Sequence, residues 1–389
     1  MRLSMASWPL LGALTLGVCG LASLSACSSP PVVQAVSFDQ AATNAANALV
    51  EQLQGIAGGA SDRHAVILDP TLDAESGQQT SATQQLDRII GNRVMQARQL
   101  DWIPFDAGGL ARARFLVVGS LARAPGGHRI NLALVNVQSG IVVAQSSALA
   151  RLDTADMKPL NYYRDSPVVV NDDSIEAYIR TSTASTGQKA DASYLSRIGA
   201  AATINEATKL YNAGRYREAL AEYRRLAATP TGYQIRVLNG VYLSNARLGR
   251  SSDAEDAFGK LVAYGLAQRS LSVKFLFSPG STDFWSDSRL TSAYGMWLRQ
   301  IARQASNSEV CMDIVGHTSR TGPEEVNDNL SSRRASFIKN KLTIESGELG
   351  ARTRTVGMGS RQNLVGSGTD DVVDAPDRRV DFTIVDCKS

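Results

Sequence analysis

The chain has 389 residues, of which 43% are hydrophobic, and its formal net charge is +3 at pH 7. A chain of this length can bury two or three hydrophobic cores. The charge is spread along the sequence without a basic stripe, which argues against nucleic acid as the main partner. The histidines His64, His128 and His317 lie far apart, and no pair has the spacing of metal ligands. Neither a metal nor another cofactor is expected.

The first 26 residues have the pattern of a targeting segment. Arg2 gives a positive start, and an apolar run with small residues follows it. The alternative is a transmembrane helix, but Pro9 and several glycines and serines break the run, which is shorter than a comfortable membrane span. Residues 1–26 are therefore predicted to be a signal peptide.

The apolar run ends in Leu-Ser-Ala-Cys at residues 24–27. This stretch resembles a bacterial lipobox, in which the signal is cut before the cysteine and the cysteine then carries acyl chains. The resemblance implies a lipid anchor on Cys27. Because Ser28 rather than an aspartate follows, it also implies delivery to the outer membrane, with the chain facing the periplasm. Residues 27–35 are then expected to form a short tether.

Residues 36–152 alternate between helix and strand patterns. Helical spacing occurs at 38–57 and at 82–97, with a strand pattern at 63–70 between them. Three further strand patterns are separated by the turn signals Pro-Gly-Gly and Gln-Ser-Gly, which predicts an antiparallel meander. The arrangement resembles the small α/β domains of periplasmic lipoproteins of the FlgO and TolB-amino-terminal type. No residue in it suggests a chemical role.

Residues 153–198 are expected to connect domains, with a flexible linker at the Ser/Thr/Ala/Gly-rich stretch 181–193. Residues 199–267 contain a repeat with an offset of 35 residues. Its matched pairs are Gly214 and Gly249, Ala219 and Ala254, and Tyr223 and Phe258. The pattern resembles tetratricopeptide repeats and implies a short array of helical hairpins. Stable arrays usually need three or more units, so these helices are expected to pack on a neighbouring domain as a spacer. A peptide-binding groove is the alternative.

Residues 271–387 follow the order β-α-β-α-β-β, which predicts a mixed sheet with helices over one face. Cys19 leaves with the signal peptide, so Cys311 and Cys387 remain as a pair in an oxidising compartment. If the second and last strands are antiparallel neighbours, the start of one lies beside the end of the other and both sulfurs emerge on one face. A disulfide between these two cysteines is therefore predicted.

The second helix of this region carries an arginine in its apolar stripe. The stripe is formed by Val326, Leu330, Phe337, Ile338 and Leu342. Arg334 falls in its middle, and Asn327 points nearly the same way two turns earlier. Desolvating a lone charge is costly, so Arg334 must find a partner or face a wet cleft. An ion pair with Asp313 or Asp381 is one possibility; a ligand carboxylate held by two parallel hydrogen bonds is the other.

Three motifs carry a family resemblance: "VGHTSRTG" at 315–322, "NDNLSSRRA" at 327–335 and "DRRVDF" at 377–382. In this order they resemble the OmpA-like carboxy-terminal domain, which is shared by peptidoglycan-associated lipoproteins and flagellar stator anchors. The resemblance implies non-covalent binding of the diaminopimelate stem peptide of peptidoglycan. The binding residues predicted on this basis are Arg334, Asn327, Ser319, Leu330, Arg378 and Arg379.

The sequence departs from the family pattern at two acidic positions, where it has Ser319 and Ser278. A serine can accept a hydrogen bond from a ligand ammonium group but supplies no charge, and charge-assisted bonds are about twice as strong. Weaker binding or a changed ligand preference is expected. Glu324 and Asp328 are candidates for the missing charge.

Catalytic patterns are weak. Ser336 and Lys339 match S-x-x-K, but they lie inside a predicted helix and lack the partner motif of serine acyl-enzymes. His317 has no nucleophile near it in sequence. Because no other catalytic motif is found, the chain is not expected to be an enzyme.

The sequence therefore predicts an α+β multidomain chain, with an amino-terminal α/β domain, a tetratricopeptide-like helical array and a carboxy-terminal OmpA-like sheet. The expected function is that of an outer-membrane lipoprotein that binds peptidoglycan and tethers the membrane to the cell wall. The alternative is an envelope adaptor that recruits a protein partner through the helical array and the amino-terminal domain, with the OmpA-like domain purely structural.

Overall fold

A computed structural model describes residues 34–57, 63–278, 280–285, 291–365, 368, 373–374 and 376–387. The predicted signal peptide and the predicted acylation site, Cys27, lie outside these residues. From Ala35 onward the described residues belong to one compact unit. Within the described ranges, none of the helices has the length and apolar character needed to cross a membrane.

The amino-terminal part is built on a five-stranded sheet. Its strands are β1 (His64–Asp73), β2 (Leu100–Trp102), β3 (Phe115–Ala124), β4 (Gly127–Asn136) and β5 (Val142–Arg151). Their spatial order is β2-β1-β3-β4-β5. Strand β1 runs parallel to β2 and β3, and β3, β4 and β5 are antiparallel neighbours. The predicted meander is confirmed.

Helices cover both faces of this sheet. The helices up to the end of the connector are α1 (Phe38–Ala57), α2 (Ser81–Gln96), α3 (Ala107–Arg112), α4 (Asn161–Asp165), α5 (Asp173–Ser182) and α6 (Ala192–Asn212). Helices α1 and α2 pack on one face, where Phe38 and Leu86 join a buried apolar cluster. Helices α5 and α6 pack on the other face through Tyr178 and Ala202. A sheet covered on both sides explains why residues on both faces of β3 and β4 are buried along most of these strands.

The structure differs from the expectation of a flexible linker at 181–193. The Gln188 carbonyl accepts the amide of Val142 at 2.8 Å, and the amide of Gly187 donates to the Val142 carbonyl at 2.8 Å. Asp191 then caps α6 through the amides of Ser193 and Tyr194. Polar composition suggested a linker, but here the polar groups bond to the edge of the sheet and to a helix start.

The helical middle of the chain consists of α6, α7 (Tyr216–Ala227), α8 (Ile235–Arg247) and α9 (Ser251–Ala267), and consecutive helices pack on each other. The repeated glycines adopt the same left-handed conformation, with φ of 76° at Gly214 and 70° at Gly249. The matched aromatic residues of the two repeats, Tyr223 and Phe258, are both fully buried. The assignment of these helices to tetratricopeptide repeats stays a prediction.

The carboxy-terminal part is a four-stranded mixed sheet. It contains β6 (Ser270–Val273), β7 (Cys311–Gly316), β8 (Thr353–Gly357) and β9 (Val380–Val385) in the order β6-β9-β7-β8. Strand β9 is antiparallel to β6 and β7, and β7 is parallel to β8. The helices are α10 (Tyr294–Asn307), α11 (Glu324–Glu345) and the short α12 (Leu349–Arg352). The predicted order is confirmed, with α12 added before β8.

Cys311 and Cys387 form the predicted disulfide, with their Cα atoms 5.1 Å apart. In the antiparallel register Cys311 lies opposite Val385, so Cys387 follows two residues later at the same end of the sheet. The bridge spans 76 residues of sequence. A loop of that length implies a stabilisation of roughly 4 kcal/mol in the chain-entropy model.

The helical array and the carboxy-terminal sheet share one hydrophobic core. Trp297 of α10 stacks on Phe258 of α9, with 5.7 Å between ring centroids, and its indole N–H donates to the Tyr242 hydroxyl at 2.8 Å. The expectation that the helices pack against a neighbouring domain is confirmed, because α9 contacts α10 and β6.

The connector also extends the carboxy-terminal sheet. The amide of Val169 donates to the Ser272 carbonyl at 3.1 Å, and the amide of Lys274 donates to the Pro167 carbonyl at 2.8 Å. The ammonium group of Lys274 is buried and donates to the Tyr163 carbonyl at 2.8 Å. Burial lowers the pKa of Lys274 to about 7, against a weaker opposing effect of Asp165.

Lys274 should make the stability of the chain depend on pH. The lysine keeps its ordinary pKa of about 10.4 when unfolded, so above pH 7 the unfolded state binds more protons than the folded state, and the free energy of unfolding rises with pH. We expect a rise of about 2 kcal/mol between pH 7 and pH 9. Urea unfolding of the wild type and of Lys274→Met at both pH values measures it. An equal pH dependence in the two proteins would contradict the buried, deprotonated lysine.

Candidate functional site

A cavity of about 120 Å³ lies where the loops after β6 and β7 meet the first turns of α11. Its walls are formed by Phe277, Gly280, Trp285, Thr318, Ser319, Thr321, Val326, Asn327, Leu330, Arg334 and Arg378. Five of the six predicted binding residues are therefore brought together, from three separate stretches of sequence. The sixth, Arg379, does not line the cavity.

Arg334 occupies the position that the helical stripe predicts. It is buried, and its guanidinium group lies 4.8 Å from the ring centroid of Phe277. Its Nε donates to the Ser281 carbonyl at 3.1 Å and its Nη2 donates to the Ser278 carbonyl at 3.2 Å. These bonds fix the plane of the guanidinium, and the cation–π contact adds to them. A pre-oriented planar cation at a cavity wall matches a carboxylate ligand.

Asn327 and Ser319 are both buried beside Arg334. The Asn327 side-chain amide donates to the Thr321 carbonyl at 3.1 Å, and both residues line the cavity. The Ser319 hydroxyl lies 3.0 Å from the hydroxyl of Thr321. Loop 317–322 and helix α11 are therefore tied together at the cavity. Val326 differs from the prediction, because it is 57% exposed at the cavity rim and not part of the buried stripe.

Asp313 and Asp381, the two acids considered as internal partners of Arg334, form ion pairs with other residues. Asp313 forms a two-pronged ion pair with Arg354, at 2.8 and 2.9 Å. Asp381 bonds to His317 at 2.9 Å and to Arg379 at 3.0 Å. The contacts that place Arg334 are thus main-chain carbonyls and an aromatic ring rather than either of these acids.

Glu324 and Asp328 do not replace the acids that the sequence lacks at Ser319 and Ser278. Both carboxylates bind Arg361 on the outside of α11, each at 2.8 Å. Neither residue lines the cavity. The described cavity wall carries the cations Arg334 and Arg378 and no carboxylate side chain.

Arg379 has a structural position rather than the predicted place in the binding set. Its Nε donates to Asp381, and its Nη1 donates to the Gln362 carbonyl at 3.1 Å. Burial alone would raise the pKa of Asp381, but the hydrogen bond from His317 and the charge of Arg379 outweigh it and lower that pKa. His317, directly after β7, thus lies beside a carboxylate of the neighbouring strand β9.

A comparison with protein families places these motifs: residues 276–375 match the model of the OmpA family. This part of the chain is an OmpA family domain. The matched span includes Arg334, Asn327, Ser319 and Leu330, and it ends just before Arg378. A comparison with curated proteins finds no match.

Solved structures also resemble the OmpA family domain. The peptidoglycan-associated lipoprotein from Burkholderia pseudomallei is 26% identical, with 31% of this chain and 93% of that chain covered and a TM-score of 0.24. The cell wall anchor of the T6SS from Pseudomonas aeruginosa is 19% identical, with coverages of 31% and 89% and a TM-score of 0.24. The periplasmic domain of Helicobacter pylori MotB is 14% identical, with coverages of 30% and 72% and a TM-score of 0.25.

Sequence reasoning missed the aromatic part of the OmpA family site. Phe277 and Trp285 come from the two sides of a loop, which is closed by the amide of Trp285 donating to the Leu276 carbonyl at 2.9 Å. Neither residue belongs to one of the three motifs. The only signal was the pair of aromatic residues Phe284 and Trp285 after Gly280, and it does not reveal which ring faces a cavity.

A larger cavity, about 400 Å³, lies between α2 and α6, far from these motifs. Its polar wall on α6 is used for internal bonds. The Asn205 amide donates to the Phe105 carbonyl at 2.9 Å, Thr208 lies 2.9 Å from the Tyr223 hydroxyl, and Asn212 accepts an amide of α4 at 2.9 Å. Because these groups join the sheet to the helical array, the smaller cavity of the OmpA family domain is the better candidate site.

The S-x-x-K pair does not form a catalytic centre. The Ser336 hydroxyl is exposed and donates to the Ser332 carbonyl at 3.0 Å, while the Lys339 ammonium donates to the Thr353 carbonyl at 2.6 Å. The two side chains thus bond to different parts of the main chain. In the described ranges, no cluster of His, Cys, Asp and Glu has the geometry to hold a metal ion.

Asp381 should contribute stability that depends on its charge. Because its pKa is lower in the folded than in the unfolded state, this stability is present above the unfolded pKa of about 3.9 and is lost as the pH falls through the folded value. We expect Asp381→Asn to lower the free energy of unfolding by about 3 kcal/mol at pH 7. Denaturant unfolding at pH 7 and pH 3 measures the difference, which should shrink at pH 3. A constant difference would contradict the charge-based account.

Proposed function

We propose that the OmpA family domain binds peptidoglycan non-covalently by seating a carboxylate of the diaminopimelate stem peptide on Arg334. The observation that supports this proposal is the buried guanidinium of Arg334, which lies over the Phe277 ring at the wall of a cavity. Two parallel hydrogen bonds from a guanidinium to a carboxylate are strong and directional. The family resemblance adds that OmpA-like domains bind this class of ligand.

The remaining walls suit a peptide with both apolar and polar groups. Trp285 and Leu330 offer apolar surface, whereas Asn327 and Thr321 offer hydrogen-bonding groups. The cavity is small, so it holds the end of one side chain and not a whole muropeptide. The rest of the ligand would lie across the exposed rim at Val326.

Among the described residues, the cavity wall carries two arginines, Arg334 and Arg378, and no carboxylate that would pair with a ligand ammonium group. Ser319 stands at this position and its hydroxyl is bonded to Thr321. Binding is therefore expected to depend on the ligand carboxylate more than on its ammonium group, which broadens the choice of stem peptide. This follows from charge-assisted bonds being about twice as strong as neutral ones.

We further propose that Cys27 is acylated and that the chain faces the periplasm from the outer membrane, so that the OmpA family domain tethers the membrane to the cell wall. The support is the lipobox-like stretch at residues 24–27. Several acyl chains give stable anchoring, whereas one gives only marginal binding.

Arg334→Ala should lower retention of the chain by purified diaminopimelate-type peptidoglycan at least tenfold. Removing one partner of a desolvated charge pair typically costs about 2–5 kcal/mol, and 1.4 kcal/mol is a factor of ten. The measurement is co-sedimentation with the cell wall. Arg333→Ala is the matched control, because its side chain is exposed on the same helix.

Arg334→Lys tests whether binding needs the two-pronged guanidinium contact in addition to the positive charge. Lysine keeps the charge but makes no two-pronged contact. This variant should bind more weakly than the wild type and more tightly than Arg334→Ala. A folded Arg334→Ala chain that sediments like the wild type would refute the assignment of the site and favour the adaptor alternative.

Ser319→Asp should tighten binding to the stem peptide severalfold, because a carboxylate at this wall supplies the charged partner of the ligand ammonium group. Titration calorimetry with a stem tripeptide ending in diaminopimelate measures the effect. Ser319→Asn fills similar space without charge and should not show the gain. The gain should also vanish when the ligand amine is acetylated; a gain that survives acetylation would place the ammonium group elsewhere.

Cys27→Ser should block lipid attachment and leave an unprocessed precursor or a mislocalised chain. Fractionation of the envelope and mass spectrometry of the amino-terminal peptide measure the outcome. Because Cys19 lies inside the predicted signal peptide, Cys19→Ser is the matched control and should be processed normally. Normal outer-membrane fractionation of Cys27→Ser would show that the anchor is not at this residue.

A further inference from the structure

We propose that Arg123, a residue of the amino-terminal sheet, positions the ligand cavity of the OmpA family domain; this inference rests on the proposed function. Arg123 lies at the end of β3, outside the residues that match the family. Its Nη2 donates to the carbonyl oxygens of Leu364, at 3.2 Å, and of Val365. The contact joins residues 241 positions apart in sequence. A separate OmpA family domain would contain the two carbonyl groups but not Arg123.

The amides of the same two residues, Leu364 and Val365, bond to a buried carboxylate. Asp377 Oδ1 accepts the amides of Leu364, at 2.6 Å, and of Val365, at 2.9 Å. Their N–H groups thus point to a carboxyl group and their C=O groups to a guanidinium. Hydrogen bonds with a charged partner are stronger than neutral ones, so these two residues are fixed between two opposite charges.

The 362–365 segment is bonded to one residue that lines the cavity and to the sequence neighbour of another. The Asn363 side-chain amide donates to the Thr318 carbonyl at 2.8 Å, and Thr318 lines the cavity. Asp377 is followed directly by Arg378, which lines the same cavity. A shift of the 362–365 segment would therefore move both the loop after β7 and the Arg378 side chain.

Arg123 is itself held in place. Its amide donates to the Glu75 carboxylate at 2.8 Å, and its strand lies in the ordered register of the β3–β4 hairpin, where Arg123 faces His128. The anchor for the 362–365 segment is thus the hairpin end of a central strand of the sheet. The cavity consequently depends on the amino-terminal sheet, which is the role that sequence reasoning could not assign to that part of the chain.

The expected effect follows from a population argument. When only a fraction of molecules has the binding-competent arrangement, the apparent Kd rises by the inverse of that fraction. Removing the guanidinium from the two carbonyls should leave about a tenth of the molecules with the 362–365 segment in place, which makes binding about tenfold weaker. Arg334 would still bind the ligand carboxylate in those molecules.

The test compares Arg123→Ala, Arg123→Lys and Arg129→Ala in the purified full chain. Arg129 is exposed, pairs with Ala122 in the neighbouring strand and points to the other face of the sheet, so it is the matched control. Titration calorimetry with the stem tripeptide ending in diaminopimelate gives the Kd. Hydrogen exchange gives the protection of the amides of Leu364 and Val365, with strand β7 as internal reference.

We expect Arg123→Ala to bind about tenfold more weakly and to exchange faster at Leu364 and Val365, with β7 and Arg129→Ala unchanged. Saturating tripeptide should restore the protection. Arg123→Lys keeps the charge but cannot bond to both carbonyl groups in the same way, so its affinity and its exchange rates should be intermediate. If Arg123→Ala does not fold, the comparison of Arg123→Lys with the wild type tests the inference.

Wild-type affinity in a folded Arg123→Ala chain would overturn the inference while leaving the proposed function intact. Weaker binding without faster exchange at these two amides would also overturn it, because the residue would then act by another route. If the wild type itself does not bind the tripeptide, the proposed function fails, and the inference fails with it.

Discussion

The carboxy-terminal site depends on one constraint, which is the placement of a guanidinium group inside a helix face that packs on a sheet. Arg334 is buried at 3% exposure, so its charge must be compensated where it lies. The carbonyl groups of Ser278 and Ser281 and the ring of Phe277 contribute to this, and they also fix where the loop after β6 lies. The cavity is the space that remains between that loop, the loop after β7 and α11. Arg334 thus contributes both to the shape of the cavity and to the positive charge of its described wall.

The other described parts of the chain contact this domain through buried side chains and main-chain hydrogen bonds. The helical array shares a core with it through Trp297 and Phe258, and the connector adds main-chain hydrogen bonds at the edge of β6. The amino-terminal sheet reaches it at Arg123. Contacts of this kind bury polar and charged groups, including Lys274, at the joints between parts. Such groups define relative positions more sharply than apolar contacts do, because hydrogen bonds are directional.

The apolar stripe of α11 and the arginine pair before β9 show which site residues the sequence predicted correctly and which it did not. The helical period alone placed Arg334 among Leu330, Ile338 and Leu342, and the structure has all four side chains buried. The period failed at Val326, which is exposed at the cavity rim in the first turn of α11. The family pattern named a pair of arginines, but only Arg378 reaches the cavity, since Asp381 and the Gln362 carbonyl hold Arg379.

The sequence by itself determined the local periods, the order of strands and helices, the three motifs and the parity that brings Cys311 to Cys387. These features depend on neighbouring residues or on a strand order that the pattern already implies. Only the tertiary structure decided the partners of each charge, the ordered packing of residues 181–193 and the contact of Arg123 with Leu364. Those contacts join residues tens to hundreds of positions apart, and their hydrogen bonds require distances and angles that no local pattern encodes.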